Sequence, residues 1–300
     1  MNLSSNAAPD SAAAASYPFS PLFALDTLWL QVAGTLCNLT CTHCFISCSP
    51  KNHSHEMMSL EEVRRYLEEA KELGVKEYYF TGGEPFMNKD ILRILESTLK
   101  QGPASVLTNG LLITPKLAAR LKELSDASEY SLELRVSLDG YDAATHDAVR
   151  GPGTFAKTLK GISFLATAGL NPVITAVEVE DKLGAQAGRT QFLAFLKSIG
   201  LAQPRLKILP ILRLGAETRR TRAYEAWETL SGRTLTPEEG AALQCGSCRM
   251  ATSKGVYVCP LLIDSPDARM GETLRESMRP FELKHQACFT CHATGFSCRT

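Results

Sequence analysis

The sequence predicts an α/β fold, a partial (β/α)6 TIM-like barrel followed by a small cysteine-rich C-terminal module. Short apolar runs alternate with helical stretches through about residue 215, and this alternation is typical of a parallel sheet with right-handed crossovers. Six such units suit a partial barrel, whose active site lies at the carboxyl ends of its strands. The ten cysteines form two groups, four between Cys37 and Cys48 and six between Cys245 and Cys298, which sets the C-terminal module apart.

Local signals bound the predicted elements. Ser59 followed by Glu62 predicts a capping box that opens the first helix, and Gly74 and Gly169 stand where helix C-caps fall. The predicted strands are Leu28–Val32, Glu77–Thr81, Ser105–Thr108, Leu132–Leu138, Pro172–Val179 and Arg205–Leu209. The predicted helices are Leu60–Leu73, Lys89–Lys100, Pro115–Leu124, Phe155–Ala168 and Gln186–Ile199.

The pattern changes near Leu214, where the alternation of strands and helices ends. A charged stretch, Glu217–Leu230, predicts one further helix, and Gly255 predicts the turn of a hairpin beyond it. The C-terminal module has little apolar sequence of its own, so bound metal would supply much of its stability. The expected segments are a disordered tail (1–27), the barrel (28–215), a helical bridge (216–244) and the cysteine module (245–300).

Charge and hydropathy argue against several classes of protein. The 32 basic and 32 acidic residues balance, so no overall field attracts nucleic acid or an anionic membrane. No run approaches the roughly 18 apolar residues of a membrane span. The first residues lack the basic start and apolar core of a secretory signal. We therefore expect a cytoplasmic chain with reduced thiols that binds neither nucleic acid nor membrane.

The loop after the first predicted strand carries three cysteines in the spacing Cys37-x3-Cys41-x2-Cys44. Cysteine thiolates are the usual ligands of iron–sulfur clusters, and three thiolates for four irons leave one iron open to a small molecule. The same loop could instead hold zinc, with a fourth ligand from Cys48, His53 or His55. Cys48 itself is more typical of a buried or free thiol than of a ligand.

This triplet resembles the signature of the radical S-adenosylmethionine (SAM) superfamily. The resemblance implies a [4Fe–4S] cluster on Cys37, Cys41 and Cys44, whose fourth iron binds SAM. It further implies reductive cleavage of SAM to a 5′-deoxyadenosyl radical that abstracts hydrogen from a substrate. The electron would come from a small redox protein such as a flavodoxin or ferredoxin.

Further motifs extend the resemblance over roughly residues 28–215. Thr81-Gly82-Gly83-Glu84-Pro85 follows the second predicted strand and resembles the family's GGE motif, in which the glutamate would accept a hydrogen bond from the SAM ammonium group. By the same resemblance, His43 stands where the family usually has an aromatic or His residue near the adenine, and Arg150 could bind a SAM carboxylate through its guanidinium. The residues that the resemblance assigns to SAM are His43, Gly82, Gly83, Glu84, Pro85, Asn109, Ser137 and Arg150.

The C-terminal cysteines follow the spacings Cys245-x2-Cys248-x10-Cys259 and Cys288-x2-Cys291-x6-Cys298. They are similar to the SPASM and twitch extensions of radical SAM enzymes, which carry auxiliary [4Fe–4S] clusters. Six cysteines are fewer than a full SPASM module uses, so one four-cysteine cluster or two three-cysteine clusters remain open. His285 or His292 could replace a cysteine ligand. Paired C-x2-C sequences are also the signature of a structural zinc ribbon.

The resemblance implies a radical SAM oxidoreductase or maturase that acts on a peptide or a small molecule. Similarity to SPASM proteins favours a peptide or protein substrate. The first three C-terminal cysteines also resemble those of the molybdopterin-precursor cyclase, which favours a nucleotide-derived small molecule. A non-catalytic zinc or iron–sulfur binding protein is the alternative from another class. The motif from Gly82 to Pro85 argues against it, because such a protein has no need to bind the SAM ammonium group.

Overall fold

The computed structural model describes residues 16–178 and 186–295 of the chain. The strands are β1 (Phe19–Ser20), β2 (Thr27–Leu30), β3 (Glu77–Phe80), β4 (Ala104–Thr108), β5 (Leu132–Ser137), β6 (Val173–Val177), β7 (Arg205–Leu209), β8 (Cys248–Thr252), β9 (Gly255–Tyr257), β10 (Arg269–Gly271) and β11 (Phe281–Glu282). The helices are α1 (Leu60–Leu73), α2 (Ile91–Thr98), α3 (Pro115–Asp126), α4 (Ala143–Arg150), α5 (Thr154–Thr167), α6 (Gln186–Ser198), α7 (Glu217–Arg220), α8 (Pro237–Ala242) and α9 (Gln286–Thr294). Short 3-10 helices cover Pro85–Met87, Gln244–Gly246 and Pro266–Ala268.

One large sheet organises the molecule, in the strand order β10-β9-β8-β2-β3-β4-β5-β6-β7. Strands β2 to β7 are parallel and neighbour each other in chain order, which confirms the predicted α/β fold with its six barrel strands. Strand β8 pairs in parallel with β2, with Cys248 opposite Thr27. The sheet is therefore continuous from the barrel into the cysteine module.

Side chains alternate across the sheet and build two hydrophobic clusters. On β2, Leu28 and Leu30 pack in the cluster under the helices, whereas Trp29 faces the barrel interior with Tyr79 of β3. The Trp29 and Tyr79 rings stack with their centroids 4.4 Å apart. The interior cluster also contains Met250 of β8 and most of the described cysteines. The cysteine module thus shares its apolar core with the barrel, and its scarcity of apolar sequence is offset by that packing.

Helix α1 begins and ends as its sequence predicts. Ser59 accepts a hydrogen bond from the backbone N–H of Glu62, whose side chain accepts one from the backbone N–H of Ser59. Gly74 closes the helix with φ of 77°, in the left-handed region that glycine adopts without strain. The predicted hairpin is also present, since β8 and β9 pair antiparallel and Gly255 follows the turn with φ of 102°. None of the helices in the described ranges has the length and apolar content to cross a membrane.

The structure departs from the sequence-based expectation in three places. Helix α4 was not predicted; Asp142 caps it by accepting a hydrogen bond from the Thr145 N–H. The expected helix from Glu217 ends after one turn at Arg220, because the acidic side chains beyond it bind arginines and loop amides rather than helical neighbours. Residues 16–27, expected in a disordered tail, include β1, which pairs with β11. Residues 1–15, Val179 and Cys298 lie outside the described residues.

Candidate active site and a second thiol-lined cavity

An open cavity of about 1410 Å³ lies at the carboxyl ends of the barrel strands. Most of the residues that the sequence assigned to a cluster or to SAM line this one cavity, although they come from five separate segments of the chain. They are Cys37, Cys41, His43, Cys44, Gly82, Gly83, Asn109, Ser137 and Arg150. Glu84 and Pro85, by contrast, are buried behind the wall.

The loop from Cys37 to Cys48 directs backbone and side-chain N–H groups toward sulfur. The Leu39 N–H donates to Cys37 Sγ at 3.4 Å, and the Cys48 N–H donates to Cys44 Sγ at 3.3 Å. Asn109 Nδ2 lies 3.8 Å from Cys37 Sγ. Donors placed at sulfur favour the thiolate that an iron–sulfur cluster requires, and such bonds help to set a cluster's reduction potential.

Burial acts against ionisation of two of these thiols. Desolvation raises the pKa of Cys37 to about 12 and that of Cys41 to about 11. The Cys48 thiol donates to Cys44 and lowers the pKa of Cys44 to about 6, while the pKa of Cys48 rises. Cys48 lines the cavity too, and its Sγ lies 3.8 Å from the Gly82 carbonyl oxygen. Cys37 and Cys41 must therefore lose protons when they bind metal.

The two glycines of the Gly82-Gly83 motif are required by the packing of the cysteine loop. A Cβ on Gly83 would lie 2.0 Å from the Leu36 carbonyl oxygen. Gly82 adopts φ of 139°, and a Cβ there would lie 2.8 Å from the Ala33 nitrogen. Close approach of backbone to backbone is the physical reason for glycine at both positions.

Glu84 is fully buried, and it joins the ends of β3 and β4. Its Oε1 accepts hydrogen bonds from Thr108 Oγ1 at 2.7 Å and from the Phe86 N–H at 3.1 Å, and its Oε2 accepts one from the Asn109 N–H at 2.8 Å. Burial raises the pKa of Glu84 to about 7, although the three donors oppose that rise. The contacts present give Glu84 a structural role, and its contact with a SAM ammonium group remains a prediction.

Asp139, one of two acidic residues without exposed surface in the described part of the chain, organises the opposite wall. Its Oδ2 accepts hydrogen bonds from Arg150 Nε at 2.5 Å and from His43 Nε2 at 2.9 Å, and its Oδ1 accepts one from the Val177 N–H at 2.7 Å. Burial alone would raise the pKa of Asp139, but Arg150 and His43 hold it well below its usual range. Asp139 therefore stays ionised and fixes both side chains at the cavity.

The orientation of His43 follows from this contact. An ionised carboxylate can only accept, so Nε2 of His43 carries the donated hydrogen. Its Nδ1 is buried and has no hydrogen-bond partner among the described residues. His146 supports the network from behind, since its Nδ1 accepts from the Asp139 N–H at 3.1 Å. Burial lowers the pKa of His146 to about 4, which keeps the ring neutral.

Sequence analysis assigned no role to Asp139, His146, Thr108 or the residues of the barrel floor. The floor contains Trp29, Tyr79 and Arg135, whose guanidinium carbon lies 4.8 Å from the centre of the Tyr79 ring. The alternation of side chains along β2, β3 and β5 was the available signal, because it places Trp29, Tyr79 and Arg135 on the inner face. The cysteine module closes another side of the cavity with Met250, Pro260 and Leu261.

A second, smaller cavity of about 380 Å³ lies within the cysteine module. Four thiols line it together with apolar side chains, and they come from three segments of the chain. They are Cys245, Cys259, Cys288 and Cys291. Burial raises the pKa of Cys245, Cys259 and Cys288. Leu261 lines both cavities and thus separates them.

The remaining candidate ligands of the module have other contacts. Cys248 has no exposed surface, lies outside the cavity lining and places its Sγ 3.9 Å from the Val258 carbonyl oxygen. His292 Nε2 lies 3.1 Å from a Glu239 carboxylate oxygen, and His285 Nε2 lies 3.4 Å from Asp267. Cys298 lies outside the described residues. Cys245, Cys259, Cys288 and Cys291 are therefore the thiols that the fold brings around one space.

The zinc sites that the sequence allowed as alternatives are not assembled in the described part of the chain. His55 Nε2 lies 3.6 Å from Asp264 of the cysteine module. Across residues 16–178 and 186–295, no three or more His, Cys, Asp or Glu side chains are grouped to hold a single metal ion. The thiols surround open cavities instead.

Comparison with known proteins follows the same division of the chain. Residues 32–179 match the family model described as the radical SAM superfamily. The chain is 35% identical over 149 residues to the AdoMet-dependent heme synthase of Nitratidesulfovibrio vulgaris, a match that covers 49% of this chain and 39% of that protein. It is 33% identical over 161 residues to the mycofactocin maturase MftC of Mycolicibacterium smegmatis, covering 51% and 39%. The chain thus matches well under half the length of these curated relatives.

The fold is similar to that of Streptococcus suis SuiB in its crystal structure bound to S-adenosylmethionine. The TM-score is 0.63 at 17% sequence identity, and the likeness covers 82% of this chain and 62% of that chain. The coverage extends beyond residues 32–179, so the likeness of fold includes part of the C-terminal sequence.

Proposed function

We propose that the chain is a radical SAM oxidoreductase or maturase in which Cys37, Cys41 and Cys44 hold a [4Fe–4S] cluster. Residues 32–179, which match the radical SAM family model, would form its catalytic domain. The observation that carries the proposal is the convergence of these three thiols with Gly82, Gly83 and other motif residues on one cavity at the carboxyl ends of parallel strands. A cluster held by these thiols would supply one electron for reductive cleavage of SAM to methionine and a 5′-deoxyadenosyl radical, and that radical would abstract hydrogen from the substrate.

The residues around the cavity fit SAM as well as the cluster. Asp139 binds Arg150 through Nε, and Arg150 lines the cavity, where a guanidinium can bind a carboxylate. The buried Nδ1 of His43 lacks a partner and can accept a hydrogen bond from an amino group such as that of adenine. Asp139 therefore positions one donor and one acceptor on the same wall.

The apolar part of the cavity wall would protect a radical from water. Leu39, Phe45, Leu209, Leu212 and Pro260 contribute to it, and they come from both the barrel and the cysteine module. Exclusion of water from such a site prevents side reactions of reactive intermediates. Ser137 and Asn109 are the polar groups that we assign to SAM on the strand ends between these surfaces.

We assign the second cavity to one auxiliary [4Fe–4S] cluster held by Cys245, Cys259, Cys288 and Cys291. Four thiols around one largely apolar space match the ligand number of a complete cluster. Cys248, which the sequence also predicted as a ligand, lies outside the cavity lining. A complete cluster passes electrons or supports the fold, and Leu261 is the side chain that would separate it from the main cavity.

A peptide is the favoured substrate. Similarity to a curated maturase supports it, as does a fold like that of Streptococcus suis SuiB, which has been solved bound to the precursor peptide SuiA. The electron donor in this proposal is a small redox protein such as a flavodoxin or ferredoxin.

The decisive experiment measures SAM cleavage and iron in the full chain reconstituted under anaerobic conditions. The wild type is expected to produce 5′-deoxyadenosine and to contain about eight irons, four for each cluster. Replacement of Cys37, Cys41 and Cys44 by Ala is expected to abolish cleavage and to leave about four irons in the C-terminal module. Cleavage that persists in this variant would refute the assignment. Iron without any cleavage in the wild type would favour a binding protein, and zinc alone in the variant would refute the auxiliary cluster.

A further inference from the structure

Arg249 is a buried cation beside the cysteine module, and its side chain is 1% exposed. It lies on β8 between Cys248 and Met250, on the opposite face of the strand from both. Within the part of the chain that the structure describes, its guanidinium donates only to backbone carbonyl oxygens. The bonds are Nε to Ser277 at 3.0 Å, Nη1 to Cys245 at 2.8 Å and to Cys248 at 2.7 Å, and Nη2 to Arg279 at 2.9 Å.

The charge of Arg249 has no acidic partner within 4.0 Å among residues 16–178 and 186–295. The two other well-buried arginines each have one, since Arg135 pairs with Glu133 and Arg150 pairs with Asp139. Carbonyl dipoles satisfy the hydrogen bonds of a guanidinium but do not neutralise it, and burial of an unpaired charge costs several kcal/mol. The fold therefore accepts a buried positive charge at this position.

The surroundings show what could balance that charge. Two of the four carbonyl groups belong to Cys245 and Cys248, so the guanidinium lies directly behind the turn that presents Cys245 to the second cavity. Four thiolates carry four negative charges, and a cubane core of two or one positive charges leaves the whole site at minus two or minus three. Net charge and solvent exposure are among the factors that set the potential of such clusters.

We propose that Arg249 is the counter-charge of the auxiliary cluster and raises its reduction potential. The proposal rests on the proposed auxiliary cluster at Cys245, Cys259, Cys288 and Cys291. A one-electron reduction adds a negative charge in an apolar cavity, and a fixed cation behind the wall stabilises the reduced form more than the oxidised form. Arg249 would act through the cluster and not on a substrate, so it is a positioning residue rather than a catalytic residue.

The test is a redox titration of the auxiliary cluster in the full chain with Cys37→Ala, Cys41→Ala and Cys44→Ala. Dithionite is the one-electron reductant, and electron paramagnetic resonance detects the reduced cluster. Iron is counted first; about four irons show that the cluster is present. Absence of iron at this step would refute the auxiliary cluster and the role of Arg249 with it, whereas an unresponsive potential with iron retained would refute the role of Arg249 alone.

The variants separate charge from hydrogen bonding. Arg249→Gln removes the charge and is expected to lower the midpoint potential by at least 59 mV, a tenfold change in the one-electron equilibrium constant. Arg249→Lys keeps the charge, and Arg279→Gln removes an exposed cation nearby; both are expected to change that constant less than threefold. A less than threefold change in Arg249→Gln with iron retained, or an equal fall in Arg249→Lys, would overturn the proposal.

A second variant tests the proposal if Arg249→Gln fails to hold the cluster. Citrulline has nearly the shape of arginine without its charge, and it can be placed at position 249 by ligating synthetic residues 245–300 to expressed residues 1–244 at Cys245. The same tenfold shift is expected. An unchanged potential in the citrulline chain with iron retained would overturn the proposal, because the cation is removed while most of the side-chain shape is kept. Arg249→Lys, which keeps the charge but not the planar donors, is the control for the hydrogen bonds that citrulline also alters.

Discussion

Replacement of Asp139 by Asn tests how the wall that carries Arg150 and His43 is held. An Asn side chain can direct its oxygen toward Arg150 and His43, but its amide group then faces the Val177 N–H, which loses its acceptor. Removal of one partner of a buried ion pair costs about 3–5 kcal/mol. We expect a loss of that size in the free energy of unfolding, since Asp139 has no exposed surface and the Arg150 side chain is 11% exposed.

The assay is urea unfolding of the cluster-free chain at pH 7, followed by circular dichroism. Asp126→Asn is the matched control, because Asp126 lies on the surface of α3 and pairs with Lys122 there. An exposed pair of this kind contributes at most about 1 kcal/mol. A loss below about 1 kcal/mol in Asp139→Asn would refute the reasoning, since Arg150 would then need no carboxylate.

The loss of unfolding free energy in Asp139→Asn is expected to depend on pH. The pKa of Asp139 is held below its ordinary value of 3.8 in the folded state, so the unfolded chain binds the proton first as the pH falls. The stability from this group is present above about pH 4 and is lost as the pH falls further. The difference in unfolding free energy between wild type and Asp139→Asn should therefore shrink below pH 4. A difference that stays constant down to pH 2.5 would contradict the depressed pKa.

Two further substitutions test the packing behind the cysteine loop. Gly83→Ala forces a Cβ to 2.0 Å from the Leu36 carbonyl oxygen, so it is expected to abolish SAM cleavage and to remove about four of eight irons. The control Gly240→Ala has no atom within 4 Å of the new Cβ and should keep all of the iron. Equal iron in the two variants would contradict this prediction. Thr108→Val removes the donor to Glu84 and is expected to lower the unfolding free energy, measured by urea unfolding, by about 1–3 kcal/mol. A change below about 0.5 kcal/mol would show that the buried carboxyl group does not depend on this hydrogen bond.

The sequence by itself determined the strand and helix alternation and the thiol loop. Those features depend on local patterns: apolar runs such as Arg205–Leu209, the capping box at Ser59, and cysteines three to seven residues apart in one loop. Parallel strands place their carboxyl ends at one edge, so the motifs that follow β2 to β5 were expected near each other. In the structure Cys37, Gly82 and Arg150 line one cavity.

Tertiary structure decided which groups are buried and which partners they meet. The sequence predicts that Glu84 binds SAM. In the structure its carboxylate accepts three hydrogen bonds, and only the fold brings those backbone and side-chain donors together. Strand β8 joins β2 across more than 200 residues, and no local pattern encodes that pairing. Packing of separate segments likewise gathers four thiols around one cavity, and Arg249 of β8 is buried behind them. Contacts of this kind depend on long-range packing, whereas the sequence pattern reports only neighbours along the chain.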